Sequence, residues 1–390
     1  IRRDVTISDL QFSTLQSAFA FTYAGATLVS GWFSDRGNRR NIIVCGVAAW
    51  TVGTVVFGLS SNLSGLLIGR ILVGLGEAVL VPAGISLLCE FVSVERRGRA
   101  IALTYFGATL GTSLSFSGGG WMLAHAQSGG FDSLPVIGEL SDWRRVVMLL
   151  AVSGLVLIPI LLTFREPPRA TPPGTSRARF GDLMQLRGKL WLVLLAGSSI
   201  AVADFAYTTW QTALLTRSYG WDVASAGQAL GLTALISGTA AAWAGGWLAD
   251  RMHVRNGPRG RVLLLQICAV GLALSSVLIL VPTGEGGVIA FAVWQAVANV
   301  AYVAVAVTLQ DLVTDRTRAL AASMAVCLSI GLGLGFGPSS IAALNDGIGQ
   351  GGNALPFSLF VFIGPLGIVT FVLATALARL LSANLSKSEK

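Results

Sequence analysis

Three ionisable residues lie inside long apolar stretches of this chain: Arg70, Glu77 and Asp204. A carboxyl in such a setting can carry a proton or pair with a cation, and a guanidinium can hold an anion. Glu77 stands about twelve residues into its apolar run, a depth at which an ionisable group in a bilayer costs about 3 kcal/mol or more. A group kept at that cost reads as a proton-coupling or substrate-binding residue; the plainer alternative is a structural carboxylate bonded to neighbouring helices. Arg70 precedes it on the same helix face, two turns and about 10 Å away. It suits an anionic substrate group, the Glu77 carboxylate, or a permanent interhelical pair. Asp204 is the second buried acid, with Tyr207 and Trp210 at helical spacing. Trp294, Gln295, Asn299 and Tyr302 in another run, and Tyr105 in a third, are candidate cavity-lining residues, with Phe106, Phe21 and Tyr23 behind them. Aromatic residues in spans serve packing or the membrane interface more often.

Other chemistries find no residue set. No Gly-x-x-x-x-Gly-Lys-Ser/Thr run is present to cradle phosphates, so nothing points to direct drive by ATP. His125 and His253 sit in loops and are too few for a metal cluster. Cys45, Cys89, Cys268 and Cys327 fall in apolar runs without metal-ligand spacing and read as small packing residues. No cofactor, metal or enzymatic activity is expected.

The elements that position the three charges are membrane spans. Only 12% of the 390 residues are charged and 53% are hydrophobic, whereas a soluble domain carries about 25% charged residues. The 47 glycines suit helices that pack closely in lipid. A net charge of +8 would suit nucleic acid in a soluble protein. Here the bases gather in short loops on one side, so the expected partners are membrane lipids, protons and a small molecule, and no nucleic acid.

A span needs about 20 apolar residues. Eleven such runs are expected, near 12–33, 41–60, 65–89, 100–123, 144–164, 190–214, 225–248, 262–282, 287–309, 319–342 and 357–381. Asp9 is the expected N-cap of the first. Arg36, Arg39 and Arg40, Arg96 to Arg99, Arg251 to Arg261, and Arg316 and Arg318 mark one side, which the positive-inside rule makes cytoplasmic. The Pro- and Arg-rich stretch 165–189 is a linker on that side, dividing an N-terminal bundle (1–164) from a C-terminal bundle (190–382) and a tail (383–390). Equal halves of six spans would require one further span before Ile1, so the first helix is expected to be missing from this chain. The loop 124–143 reads as a solvated excursion on the other side.

Charged hairpins recur between spans. Gly31-x-x-x-Asp35-Arg36-x-x-Arg39-Arg40 joins the first two, and Gly246-Trp247-Leu248-Ala249-Asp250-Arg251 echoes it in the second half. Each hairpin is a topology anchor or a latch. In the latch, the acid faces the positive end of a neighbouring helix and the bases pair with Glu90 or Glu95.

These residues resemble the major facilitator superfamily: the hairpin looks like its signature between spans 2 and 3, and Arg70-x-x-x-Gly74-x-Gly76 like its span 4 signature. Within it the chain is most similar to the bacterial spinster-like branch. The carrying stretches are Gly76-Glu77-Ala78, Arg165-Glu166-Pro167-Pro168, Arg217-Ser218-Tyr219-Gly220 and Gly331-x-Gly333-x-Gly335-x-Gly337-Pro338. The resemblance implies an all-α polytopic membrane protein of two six-helix bundles that rock around a midplane cavity. It implies a latch at Asp35, Arg36, Arg39, Arg40 and Glu90, with Asp250 and Arg251 as the second copy, and a lysolipid-like or other amphiphilic substrate. A monomer in the bacterial inner membrane is expected, its C-terminus cytoplasmic. Asn38 stands where the family usually has Gly, with Gly37 one place early; Asn also tolerates left-handed angles. The Gly-Pro of the drug-antiporter signature is absent, since Gly107-x-x-x-Gly111 is followed by Thr112. A symporter of small organic anions is the alternative that Arg70 keeps open, and a non-transporting receptor or scaffold is the second.

Overall fold

In the computed structural model the described residues are 4–91, 97–166, 187–313, 317–348 and 354–388; within them the side chains at 31–32, 34–36, 85–86, 89–90, 97–106, 187, 258, 318–319 and 383–388 fall outside the description. The described residues form helices and turns with no strand. In chain order the helices are α1 (Asp9–Arg36), α2 (Arg39–Leu59), α3 (Leu63–Glu77), α4 (Leu80–Phe91), α5 (Arg97–Gln127) and α6 (Asp142–Thr163). There follow α7 (Arg187–Ala213), α8 (Val223–Asn256), α9 (Pro258–Ser275), α10 (Gly284–Leu312), α11 (Arg318–Leu328), α12 (Gly335–Ile348) and α13 (Ala354–Ser388). Among the described residues nine helical stretches are long and apolar enough to cross a membrane. With α1 and α5, whose 28 and 31 residues also exceed the length of a span, the eleven expected crossings are accounted for.

Large apolar side chains face outward, which only a hydrocarbon solvent makes favourable. On α6, Leu150, Leu155, Val156 and Ile160 are all exposed.

The chain divides into two compact units, residues 1–175 with 223–228, and 176–222 with 229–390. In the first, α3 packs on both α1 and α2 by bringing backbone against backbone. A Cβ on Gly76 would stand 2.4 Å from the Gly46 carbonyl, and one on Gly74 would stand 2.9 Å from that of Phe19. Gly53 and Gly69 repeat this contact two turns further along. The span-4 signature is therefore a packing code: Arg70 and Gly74, four apart, face α1, while Gly69 and Gly76, seven apart, face α2.

The run expected as one span at 65–89 forms one stretch long enough to cross, Leu63–Gly84, with a local turn inside it. Ala78 and Val79 form a turn between α3 and α4, and Ser30 of α1 places its hydroxyl 3.1 Å from the Ala78 carbonyl. The break follows directly on Glu77.

Two local expectations are corrected. Ser8, not Asp9, caps α1, because Ser8 and Gln11 close a reciprocal capping box with bonds of 3.1 and 2.9 Å. The α1–α2 hairpin needs no left-handed residue: Gly37 has φ −88° and Asn38 φ −73°. Asn38 is there as the N-cap of α2, accepting from the Asn41 amide at 2.9 Å.

The loop expected at 124–143 is partly exposed, joins α5 (to Gln127) to α6 (from Asp142), and is built around one side chain. Arg145 donates to the carbonyls of Leu140 (2.7 Å), Gly138 (2.6 Å) and Ala126 (3.3 Å) and to Asp132 (2.5 Å).

In the second unit α7 is the central helix. Gly333 and Gly337 lie against its backbone, where a Cβ would come within 3.0 Å of Ala201 and 2.6 Å of the Val202 carbonyl. A π-helical turn at Ser329–Leu334 precedes Pro338, which has no N–H to bond the Leu334 carbonyl four residues back.

Candidate functional site

Arg70 is held by α1. It donates to the Gln16 side-chain carbonyl and to the Leu15 backbone carbonyl at 3.4 Å, and its guanidinium lies 4.6 Å over the Phe19 ring. These three partners come from one turn of α1, which Gly74 allows to approach. The grip fixes the cation without neutralising it, since an amide, a carbonyl and a ring carry no net charge. Arg70 remains partly exposed.

Glu77 is different. It is also partly exposed, and among the described residues no hydrogen bond or ion pair holds its carboxyl. Arg70 acts on it through space rather than by contact. The last residue of α3, it sits beside the break that Ser30 stabilises, so the backbone around it is anchored while its side chain is not.

The second unit holds its acid more firmly. Asp204 of α7 accepts from Trp294 Nε1 at 2.9 Å and from the Tyr302 hydroxyl at 3.3 Å, both on α10. Trp294 is itself fully buried and meets the Tyr207 ring edge to face at 5.6 Å. Trp210 donates to the Pro338 carbonyl at 3.0 Å. Asn299 Nδ2 turns back to the Gln295 carbonyl at 2.8 Å. The structure thus gathers Asp204, Tyr207, Trp294 and Tyr302 into one α7–α10 cluster, puts Trp210 on the α12 contact, and leaves Gln295 and Asn299 partly exposed on α10.

Of the expected hairpin residues, Asp35, Arg36 and Glu90 lie outside the described side chains, as does Tyr105. Arg39 is 2% exposed and donates to Glu166 at 2.8 Å, tying the start of α2 to the end of α6. Arg40 donates to the Phe164 carbonyl at 3.1 Å and to Asn41. In the second unit Arg261, at the start of α9, binds Asp311 at the end of α10 and stands 3.8 Å from Asp250. Arg251 is exposed and stacks on Trp247 at 5.2 Å.

Sequence reading passed over Gln16, Phe19, Glu166, Arg261 and Asp311 as partners. All five come from distant parts of the chain, so only the fold brings them in. It also passed over Gln211, one turn after Tyr207. The Gln211 amide and the Tyr207 hydroxyl are buried without a hydrogen-bond partner. A glutamine in an apolar run was the available signal.

A family model described as Major Facilitator Superfamily matches residues 1–338. An MFS-type efflux pump of Mycolicibacterium smegmatis is 25% identical over 97% of this chain and 87% of its own length. Protein spinster homolog 1 of Homo sapiens is 26% identical over 95% of this chain and 75% of its own. A crystal structure of a bacterial homologue of the human lysosomal transporter Spinster, inward-facing and occupied, superposes with a TM-score of 0.79. It covers 98% of this chain and 90% of its own at 22% identity.

Proposed function

The chain belongs to the major facilitator superfamily, and on that premise we propose that it is a secondary transporter moving an amphiphilic, lysolipid-like molecule by alternating access, coupled to protons through Glu77. The observation that carries the reading is the contrast between Arg70 and Glu77. The cation is clamped by α1 yet keeps its charge, and the acid beside it has no bonded partner among the described residues. A carboxyl so placed can exchange a proton whenever the cavity opens to either side. A fixed cation about 10 Å away along the helix can take the anionic head of an amphiphile. Asp204 offers a second carboxyl in the other unit, organised by Trp294 and Tyr302. Arg39, Arg40 and Glu166 belong to the latch end, with Asp35, Arg36 and Glu90 assigned there by resemblance. Asp250 and Arg251 complete the second copy, centred on Arg261. The base-rich side is cytoplasmic, in a bacterial inner membrane.

A second reading rests on the same cation: Arg70 also suits a small organic anion without an apolar tail. Uptake by the purified protein in proteoliposomes under an imposed pH gradient separates the two. Gradient-dependent accumulation of lysolipids over small organic anions supports the first reading, and the reverse preference supports the second. No gradient-dependent uptake of either overturns both and leaves a receptor or scaffold.

A further inference from the structure

The bond from Arg70 to Gln16 orients the glutamine as well as the arginine. A guanidinium has donors only, so the amide oxygen of Gln16 faces it, and Arg70 Nη2 donates to Oε1. The amide NH2 group therefore points away from Nη2. Gln16 Nε2 makes no hydrogen bond among the described residues.

Arg70 keeps free donors of its own. Its Nε goes to the Leu15 carbonyl at 3.4 Å, its Nη2 goes to Gln16, and the Phe19 ring covers one face of the guanidinium at 4.6 Å. Nη1 makes no hydrogen bond among the described residues. Neither Nη1 nor Gln16 Nε2 is among the buried atoms that lack a partner, and both side chains are partly exposed. Two sets of N–H donors, linked through the Nη2–Oε1 bond, thus stay open to the space beside Arg70.

The ligand that suits them is an anion with several oxygens. A charge at this depth opens to the bundle interior and not to lipid. A lone cation takes any negative head. A cation with an amide donor tied to it favours a head whose charge is spread over several acceptors, as in a phosphate. A neutral alcohol head gains little from the pair. Glutamine rather than glutamate at this position also leaves the positive charge of Arg70 for that head.

We propose that Gln16 is a specificity-determining residue of the cargo site, its amide donating to a phosphate head that also accepts from Arg70 Nη1. This rests on the reading of Arg70 as the seat of an anionic head, and adds to it a second donor and a headgroup chemistry.

The test uses the purified full chain in detergent, with isotope-labelled glutamine amides read by NMR. It is titrated with lysophosphatidylglycerol or with the neutral monoacylglycerol of the same acyl chain. The Gln16 amide resonance, identified by its loss in Gln16→Met, is expected to shift with lysophosphatidylglycerol and to stay in place with monoacylglycerol. Gln16→Met is expected to bind lysophosphatidylglycerol about tenfold more weakly, the loss of one hydrogen bond to a charged group, and to bind monoacylglycerol as the wild type does. Gln16→Glu keeps an acceptor for Arg70 but offers no donor, and is expected to weaken lysophosphatidylglycerol at least as much. Thermal unfolding checks that each variant is folded; where Gln16→Met is not, Gln16→Glu identifies the resonance and supplies the affinity. An unmoved Gln16 resonance at saturation with lysophosphatidylglycerol overturns the contact, as does an equal loss of the two lipids in the folded variant. Binding of lysophosphatidylglycerol by Arg70→Gln at wild-type affinity removes the anionic-head reading of Arg70 and this inference with it. Weakened binding by Arg70→Gln with an unmoved Gln16 resonance removes Gln16 alone.

Discussion

Arg70 keeps three partners on one turn of α1: Gln16, the Leu15 carbonyl and the Phe19 ring. Only a planar, multi-donor cation satisfies all three, so lysine is not an equivalent there. Arg70→Lys is expected to lower uptake of an anionic amphiphile about tenfold, an effect of roughly 1.4 kcal/mol, while the protein stays folded. Uptake rates in proteoliposomes alongside thermal unfolding check this; wild-type uptake would remove Arg70 from the binding site. The Arg39–Glu166 pair is a different kind of contact, nearly buried and direct. Removing one member leaves the other charge uncompensated, so Glu166→Ala is expected to destabilise the first unit by about 3 kcal/mol. A lowered unfolding midpoint with the other unit unchanged is the measurement. Arg70 and Glu77 were legible from sequence because charge inside an apolar run is rare. The partners were not, since Gln16 lies 54 residues from Arg70 and Glu166 lies 127 from Arg39.

At the scale of the element, the glycines of α3 decide how close α1 and α2 can come. Gly76 sits with its hydrogen against the Gly46 carbonyl and the Trp50 backbone. Because backbone cannot step aside as a side chain can, Gly76→Ala is expected to cost about 1–3 kcal/mol. It should also displace Glu77, the next residue, and so lower transport more than stability alone explains; thermal unfolding and uptake measured together separate the two. The strap after α5 tests a similar point on the opposite side. Arg145→Ala removes bonds to three carbonyls and an acid. With about 1 kcal/mol net per bond, amide exchange across 128–141 is expected to rise tenfold or more. The apolar runs gave these helices away at once, and the turn residues gave away the hairpin between α1 and α2. Periodicity carried no sign of the α3–α4 break, which Ser30 stabilises from another helix, nor of the order in the strap, since Arg145 reads as one more charge at a helix start.

For the whole molecule, membership of the major facilitator superfamily and a fold shared with a spinster homologue at a TM-score of 0.79 make the chain a transporter-family membrane protein. What the two units carry differs in kind. The second clamps Asp204 between Trp294 and Tyr302, and the first leaves Glu77 without a bonded partner among the described residues, on the same helix as a clamped Arg70. That asymmetry is why we propose Glu77 rather than Asp204 for proton exchange, and it was hidden in a sequence that shows only two acids at similar depth. The most direct measurement compares wild type with Glu77→Gln in proteoliposomes, using a lysolipid and two assays: accumulation driven by a pH gradient, and substrate exchange with no gradient. The expected result is a loss of gradient-driven accumulation by at least tenfold with exchange retained, because the amide keeps the shape of the side chain but carries no proton. Gradient-driven accumulation by Glu77→Gln at the wild-type rate would contradict the assignment.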